Sequence, residues 1–145
     1  MKQDRTVLVC VTVQSSSENL IRAGKVMAEK NSANLEIVSV IPIDDEDRKF
    51  DPEALDRLYV CARNYGGEMA VYFSDDAIMT VCAHIAKRKP LTLVTGFPGE
   101  RSNNFISLLR LILPEVPISM VDSEGTVYNM LPSEANRTVK YADTP

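Results

Sequence analysis

Two glycines, Gly96 and Gly99, stand between an apolar run at 91–95 and a pattern typical of a helix that begins near residue 105. Glycine adopts backbone conformations that are closed to other residues, and the first turn of a helix presents unpaired N–H groups. A strand, a glycine-containing loop and a helix N-terminus together form a common anion-binding site. We therefore expect the phosphate group of a small molecule to bind at Gly96 and Gly99. The alternative is a tight turn that requires glycine for its backbone conformation alone.

Polar residues near the predicted starts of the first and fourth helices are further candidates for this site. Arg101 and Ser102 follow the glycines, and they could add a charge-assisted contact and a hydroxyl donor. Ser15 and Ser17 follow the first apolar run, where their hydroxyls could face the same ligand. The alternatives are a solvent-facing loop for Arg101 and Ser102, and simple helix capping for the serines, because Ser15 and Glu18 have capping-box spacing.

Motifs of catalysis and metal binding are missing from the sequence. It contains no G-x-S-x-G elbow, no Walker A loop and no G-x-G-x-x-G motif, so we predict no catalytic residue. The single histidine, His84, falls outside the apolar stripe of its helix, and we expect it to be exposed. The acidic run Asp44–Asp47 lacks the spacing of a calcium loop and is interpreted as a solvated loop. The three cysteines are interpreted as reduced core residues, and no metal site is predicted.

Strands and helices alternate along the predicted chain. The strands are expected at 6–13, 35–41, 68–73, 91–95 and 118–121, with one helix in each interval. Asp51 and Pro52 mark the start of the second helix, in which Tyr59 is expected to face inward. Ser74-Asp75-Asp76 is expected to cap the third helix. In the fourth helix the apolar positions are Phe105, Leu108, Leu109 and Ile112, at the spacing of one face.

This alternation predicts the fold class. Near-continuous apolar strands that alternate with helices indicate an α/β protein, a three-layer α/β/α sandwich around a five-stranded parallel sheet. Ligands of such sheets bind beyond the carboxyl ends of the strands. We assign residues 1–122 to this domain and residues 123–145 to a C-terminal extension with a short β-like piece at 126–131.

Composition and charge exclude several classes of function. The chain has 145 residues, of which 45% are hydrophobic and 25% charged, as expected for a single globular domain. Its net charge of −4 argues against binding to nucleic acid or to an anionic membrane surface. Neither a signal peptide nor a membrane-spanning run is present, so a cytoplasmic protein is expected.

The segment after the first strand resembles a known family. It reads SSENLIRAG at Ser16–Gly24, with Ala28 further on, and it is similar to the universal stress protein domain. It looks most like the version inside Kdp-type osmosensitive potassium-channel sensor histidine kinases. The resemblance implies a fold like that of the adenine nucleotide alpha hydrolases, with strand order 3-2-1-4-5. That order brings Val13–Ser17 and Gly96–Asn104 into one crevice between strands 1 and 4. The implied ligand is ATP, AMP or a cyclic dinucleotide, with no metal beyond nucleotide-bound magnesium.

Nucleotide-binding members of this family carry a three-part signature, of which one part is present. The signature has an Asp after strand 1 and a Gly-x-x-G after strand 4, followed nine residues later by Gly-Ser/Thr. Here Gly96-Phe97-Pro98-Gly99 matches the second part. Leu109-Arg110 stands at the third part, and Val13-Gln14 supplies no Asp at the first.

Three hypotheses for function follow. The first is a regulatory protein of stress or osmotic signalling, with a ligand in the strand 1/strand 4 crevice and a signalling protein as partner. The second is a protein-interaction or dimerisation module without a nucleotide. The third, a nucleotide hydrolase or transferase, ranks lowest because no base or nucleophile can be named. The resemblance also implies a homodimer through the last strand, Ile118–Val121, whose edge would otherwise stay unpaired.

Overall fold

A computed structural model of the chain describes residues 5–11, 17–41, 43, 51–96 and 105–130. Its strands and helices alternate as the sequence predicts, and a further strand follows the fifth. In chain order they are β1 (Thr6–Val11), α1 (Ser17–Lys30), β2 (Asn34–Ile41), α2 (Pro52–Asn64), β3 (Glu68–Phe73), α3 (Ala77–Arg88), β4 (Thr92–Gly96), α4 (Phe105–Ile112), β5 (Ile118–Val121) and β6 (Val127–Met130).

The strands form one sheet in the order β3-β2-β1-β4-β5-β6. The first five are parallel, which confirms the predicted α/β class and the order 3-2-1-4-5. At the centre of the sheet Val9 of β1 lies between Ile37 of β2 and Val94 of β4. Because all five parallel strands point the same way, the carboxyl ends of the neighbours β1 and β4 lie at the same edge of the sheet.

The sixth strand, β6, extends the predicted five-stranded sheet. It lies in the predicted C-terminal extension, at the β-like piece, and pairs antiparallel with β5 so that Ile118 faces Met130 and Val121 faces Val127. The reason given for a homodimer through Ile118–Val121 is therefore wrong, because β6 of the same chain occupies that edge of β5. Homodimerisation itself stays a prediction.

Apolar residues cover both faces of the sheet, as expected for parallel strands between two helical layers. On one face Val7, Val9 and Ile37 pack with α1 and α2. On the other face Leu8, Val38 and Leu93 pack with α3 and α4. The side chains alternate between the two layers with the period of two that strands impose.

Gly24 lies at the closest approach of α1 to the sheet. A β-carbon built at this position would collide with Cγ2 of Val9 and lie 3.2 Å from Cδ1 of Leu35. The absence of a side chain therefore lets the middle of α1 rest directly on β1 and β2. Ala28, one turn further along, is also small and buried in the same core. This packing explains two small residues in the segment that resembles the universal stress proteins.

The starts of α2 and α3 are capped as their sequences predict. The Asp51 carboxylate accepts a hydrogen bond from the Glu53 N–H at 3.0 Å, and Pro52 occupies the first turn. The Asp76 carboxylate accepts from the Met79 N–H at 3.1 Å. Each cap satisfies an N–H group that the helix itself leaves unpaired.

The expectation that Tyr59 of α2 faces inward is wrong, because this residue is 47% exposed. In α4 only Leu109 is fully buried, whereas Leu108 and Ile112 are more than one third exposed. The apolar stripe of α4 is wider than the surface that the sheet and α3 can cover. None of the helices within the described ranges is long and apolar enough to cross a bilayer.

Candidate functional site

The predicted crevice lies where β1 and β4 end side by side. The two strands are hydrogen-bonded neighbours, and Gly96 is the last residue of β4. A β-carbon built on Gly96 would lie 3.8 Å from Cδ1 of Leu20, which belongs to the first turn of α1. The end of β4 therefore lies against the helix that follows β1. This is the arrangement that the ligand hypothesis requires of the described residues.

Two of the seven predicted site residues fall within the described part of the chain. Ser17 is the first residue of α1 and is buried, and Gly96 ends β4. The structure thus brings the two elements that carry them together. The other five candidates lie outside the described residues: Val13, Ser15, Gly99, Arg101 and Ser102.

Gly96 is not required by the backbone or by packing. Of the described glycines only Gly66 and Gly125 have positive φ, at 79° and 90°. The nearest atoms to a β-carbon on Gly96 are the Leu20 methyl groups at 3.8 and 3.9 Å, which are ordinary van der Waals distances. An alanine would therefore fit here. Among the described residues, Leu20 alone lies within 4 Å of that β-carbon position.

A polar network fixes the first turn of α1 to the end of α2. The Tyr65 hydroxyl donates to Oε2 of Glu18 at 3.0 Å and accepts from Nε of Arg22 at 3.3 Å. Arg22 also lies 3.4 Å from the Glu18 carboxylate. The predicted capping-box role of Glu18 pairs it with Ser15, which lies outside the described residues. The Glu18 carboxylate is in any case bound to Tyr65.

The position that corresponds to the missing part of the nucleotide signature is a core residue. Leu109 stands where the nucleotide-binding signature has glycine, and its side chain is fully buried. It belongs to the same core cluster as Leu8 and Val81, so core packing accounts for a leucine at this position.

A buried polar cluster, which the sequence patterns did not predict, lies on the α3 side of the sheet. The Glu36 carboxylate of β2 lies 3.2 Å from Nε2 of His84 and 3.1 Å from Nε of Arg88, both on α3. The Tyr72 hydroxyl of β3 lies 2.7 Å from Nδ1 of His84. His84 is buried, so the expectation that it is exposed is wrong. The cluster joins β2, β3 and α3 through one imidazole.

The geometry of this cluster indicates a structural role. Neither Oε1 of Glu36 nor Nε2 of His84 has a partner at hydrogen-bond angles within the described structure, so their contact is electrostatic and poorly directed. Glu36 is the third residue of β2, toward the amino ends of the strands and away from Gly96. One feature of the sequence could have predicted this cluster. Glu36 is a carboxylate inside the apolar run 35–41, and a buried charge needs a polar partner.

The described residues form no recognisable metal-binding cluster. They contain no group of three or more His, Cys, Asp or Glu side chains close enough to share an ion. The three thiols are free, and burial raises the pKa of the Cys10 thiol to about 12. The acidic run Asp44–Asp47 lies outside the described residues.

Solved structures with the same architecture identify the fold. The universal stress protein from Archaeoglobus fulgidus matches with a TM-score of 0.62 over 86% of this chain and 93% of that chain, at 14% identity. A universal stress protein in complex with cAMP matches with a TM-score of 0.60, over 81% and 96%, at 15% identity. The fold is that of the universal stress proteins.

A third match to the universal-stress-protein fold is a family member from Burkholderia pseudomallei, with a TM-score of 0.52 over 80% of this chain and 94% of that chain, at 15% identity. No protein-family model matches the chain. No curated protein sequence matches it either. At these identities the comparisons establish the universal-stress-protein architecture, and the ligand has to be argued from the site.

Proposed function

We propose that this protein is a regulatory member of the universal stress protein family that binds an adenine nucleotide, or a related phosphate ligand, in the β1/β4 crevice. Its role would be in stress or osmotic signalling in the cytoplasm, through a signalling protein partner. The sequence similarity to the Kdp-type sensor domain favours osmotic signalling. Binding would order the loop after β4 and change the surface that a partner contacts.

One observation carries this proposal. Gly96 ends β4 directly against the first turn of α1, and the space that its missing side chain leaves is bounded by Leu20 alone among the described residues. The Gly-x-x-G segment thus begins at the edge of the sheet where parallel α/β proteins bind ligands. A structure of the same fold is a complex with cAMP, which makes adenine nucleotides the first ligands to test.

A thermal-shift panel tests the proposal. The protein is heated with ATP, AMP, cAMP and cyclic dinucleotides, each with and without magnesium. A ligand at about 100 times its Kd adds about 2.7 kcal/mol to the free energy of unfolding, which raises the Tm by roughly 5–10 °C in a domain of this size. A panel without any shift would contradict nucleotide binding.

Two variants separate loss of the site from loss of the fold. Gly99→Val places a branched side chain in the predicted phosphate loop, and it should abolish the shift. Gly96→Ala adds one methyl group at 3.8 Å from Leu20, so the Tm without ligand should stay within about 1 °C of the wild type. A lower response to nucleotide in Gly96→Ala would then report contact with the ligand. An equal response in both variants and the wild type would place binding elsewhere.

The second candidate is a protein-interaction module that binds no nucleotide. It is favoured by Leu109, which is fully buried where the signature calls for a glycine. It predicts a flat thermal-shift panel together with retained stability and retained self-association or partner binding. The panel therefore distinguishes the two candidates.

A further inference from the structure

The outer surface of α3 and α4 carries a stripe of exposed apolar side chains. Met79 on α3 is 53% exposed, and Leu111 on α4 is 75% exposed. Ala83 and Ala86 continue the stripe of Met79 along α3 at helical spacing, and both are exposed. Leu108 and Ile112 extend the α4 side. We call these six residues the α3/α4 face: Met79, Ala83, Ala86, Leu108, Leu111 and Ile112.

The two helices leave an open cleft at the lower end of this face. The cleft is lined by Ala86 and Lys89 from the end of α3, by Ile112 from α4 and by residues 113–117. Its volume is about 540 Å³. Within the described ranges no residue fills this cleft. A contiguous apolar surface of two helices with a cleft between them is typical of an interaction site, because scattered exposed apolar residues do not form such a surface.

Charges at the two ends of the face have opposite sign. Asp75 and Asp76 stand at the start of α3, and Lys87 and Lys89 stand at its end, about 18 Å away along a helix of 12 residues. Arg110 in the last turn of α4 and Glu115 at the cleft carry opposite charges, so together they add no net charge to this end. Arg88 is matched by Glu36, which lies 3.1 Å from its Nε. One end of the face is therefore acidic and the other basic.

This distribution selects a particular occupant. When two copies of the face meet about a two-fold axis perpendicular to the helices, α3 and its counterpart run antiparallel. The acidic end of each then lies opposite the basic end of the other, and the apolar middle parts meet. The helix dipoles also oppose each other favourably. A parallel arrangement would place Asp75 and Asp76 beside the same residues of the second copy, which costs free energy.

We propose that the α3/α4 face binds the same face of a second copy of this chain in an antiparallel, two-fold dimer. The apolar middle supplies the affinity, and the charged ends fix the orientation. This interface lies on a helical layer of the sandwich, whereas the interface predicted from the sequence lies at a sheet edge. It uses neither the β6 edge nor Gly96, and it does not depend on nucleotide binding.

Sedimentation equilibrium of the full chain tests the proposal from about 10 μM to about 500 μM, a range that reveals dimers with micromolar Kd. The wild type should reach a dimer, and Leu111→Glu should raise the Kd of the dimer at least tenfold, because it places a carboxylate in the apolar middle. Val60→Glu is the matched control. Val60 is 50% exposed on α2, in the opposite layer, so this change should alter the Kd less than about twofold.

Charge reversal tests the orientation. Asp75→Lys and Lys87→Glu should each weaken the dimer about threefold to tenfold, whereas the double variant should restore the wild-type Kd, because it exchanges the signs of the opposed ends. Both positions are exposed, so the fold should persist in all variants, as circular dichroism would verify.

Three results would overturn the proposal. A wild type that stays monomeric over the whole concentration range would rule out a dimer through this face. A dimer that is unaffected by Leu111→Glu would place the interface elsewhere on the molecule. A double charge variant as weak as the single variants would rule out the antiparallel arrangement.

Discussion

Substitution of His84 by leucine should destabilise the protein strongly, although the residue lies far from the predicted crevice. The imidazole accepts or donates a hydrogen bond at 2.7 Å with the Tyr72 hydroxyl and lies 3.2 Å from the buried Glu36 carboxylate. Leucine has similar volume, so the change leaves no large cavity. What it removes is the polar partner of two side chains at once.

The magnitude follows from what each partner loses. A partly buried hydroxyl without its partner costs about 1–2 kcal/mol. The Glu36 carboxylate loses a polar neighbour at 3.2 Å, and a buried polar group that is left unsatisfied costs about 1–3 kcal/mol. Glu36 keeps Arg88 at 3.1 Å, so only part of that cost applies. We expect a loss of about 3 kcal/mol in the free energy of unfolding, which lowers the Tm by roughly 6–12 °C.

A double-mutant cycle with Tyr72→Phe isolates the hydrogen bond. In the wild type, Tyr72→Phe should cost about 1–2 kcal/mol, because it leaves Nδ1 of His84 unpaired. In the His84→Leu background the same change should cost nothing, since the hydroxyl already lacks its partner. The expected coupling is therefore at least about 1 kcal/mol, measured by urea denaturation.

Two outcomes would contradict this reasoning. A loss below about 1 kcal/mol in His84→Leu would mean that solvent or Arg88 fully satisfies Glu36 and Tyr72. Equal effects of Tyr72→Phe in both backgrounds would mean that the 2.7 Å contact contributes nothing to stability.

Three further predictions concern single residues. Ser39 is completely buried, and its hydroxyl has no hydrogen-bond partner among the described residues, so Ser39→Ala should raise the free energy of unfolding by about 1 kcal/mol in urea denaturation. A destabilised Ser39→Ala would reveal a hidden partner. Burial raises the pKa of the Cys10 thiol to about 12, so iodoacetamide at pH 8 should alkylate Cys10 far more slowly than a free thiol. The contribution of the buried neutral thiol to stability is full below about pH 9 and is lost as the pH rises through about 12. Alkylation of Cys10 at the rate of free cysteine would refute both statements. Asp51→Ala removes the acceptor of the Glu53 N–H and should lower the Tm by a few degrees, whereas Asp51→Asn, which keeps an acceptor, should restore most of the loss.

The fold was predictable because local signals agree along the chain. Asp51, Pro52 and Asp76 start helices where such residues are favoured, and five apolar runs became the five parallel strands. In the sequence the sixth strand was visible only as a short β-like piece in a polar segment. The signal is weak because an edge strand of four residues needs few apolar side chains. Its pairing with β5 is a long-range contact that periodicity cannot reveal.

The site was less predictable, for reasons that particular residues illustrate. Gly96 and Ser17 were found because glycines and serines stand out beside strand and helix ends. His84 was misjudged because helical spacing measures the apolar stripe, and it cannot identify a carboxylate such as Glu36 across the interface. The same spacing marks Leu108 and Ile112 as part of the apolar stripe of α4, but it does not tell how much of that stripe the rest of the molecule covers.

The contact at Gly24 has a mechanical consequence. The Val9 methyl group occupies the space that a side chain at position 24 would fill, so the packing of α1 against the sheet fixes the position of the helix along its axis. A shift of α1 by one residue would drive Ala23 or Lys25 onto Val9, and the helix therefore has a single resting position along its axis. A ligand that binds near Ser17 therefore cannot act by translating α1 along its axis. The segments 12–16 and 97–104, which adjoin the crevice in the sequence, are therefore the place to attach a reporter group.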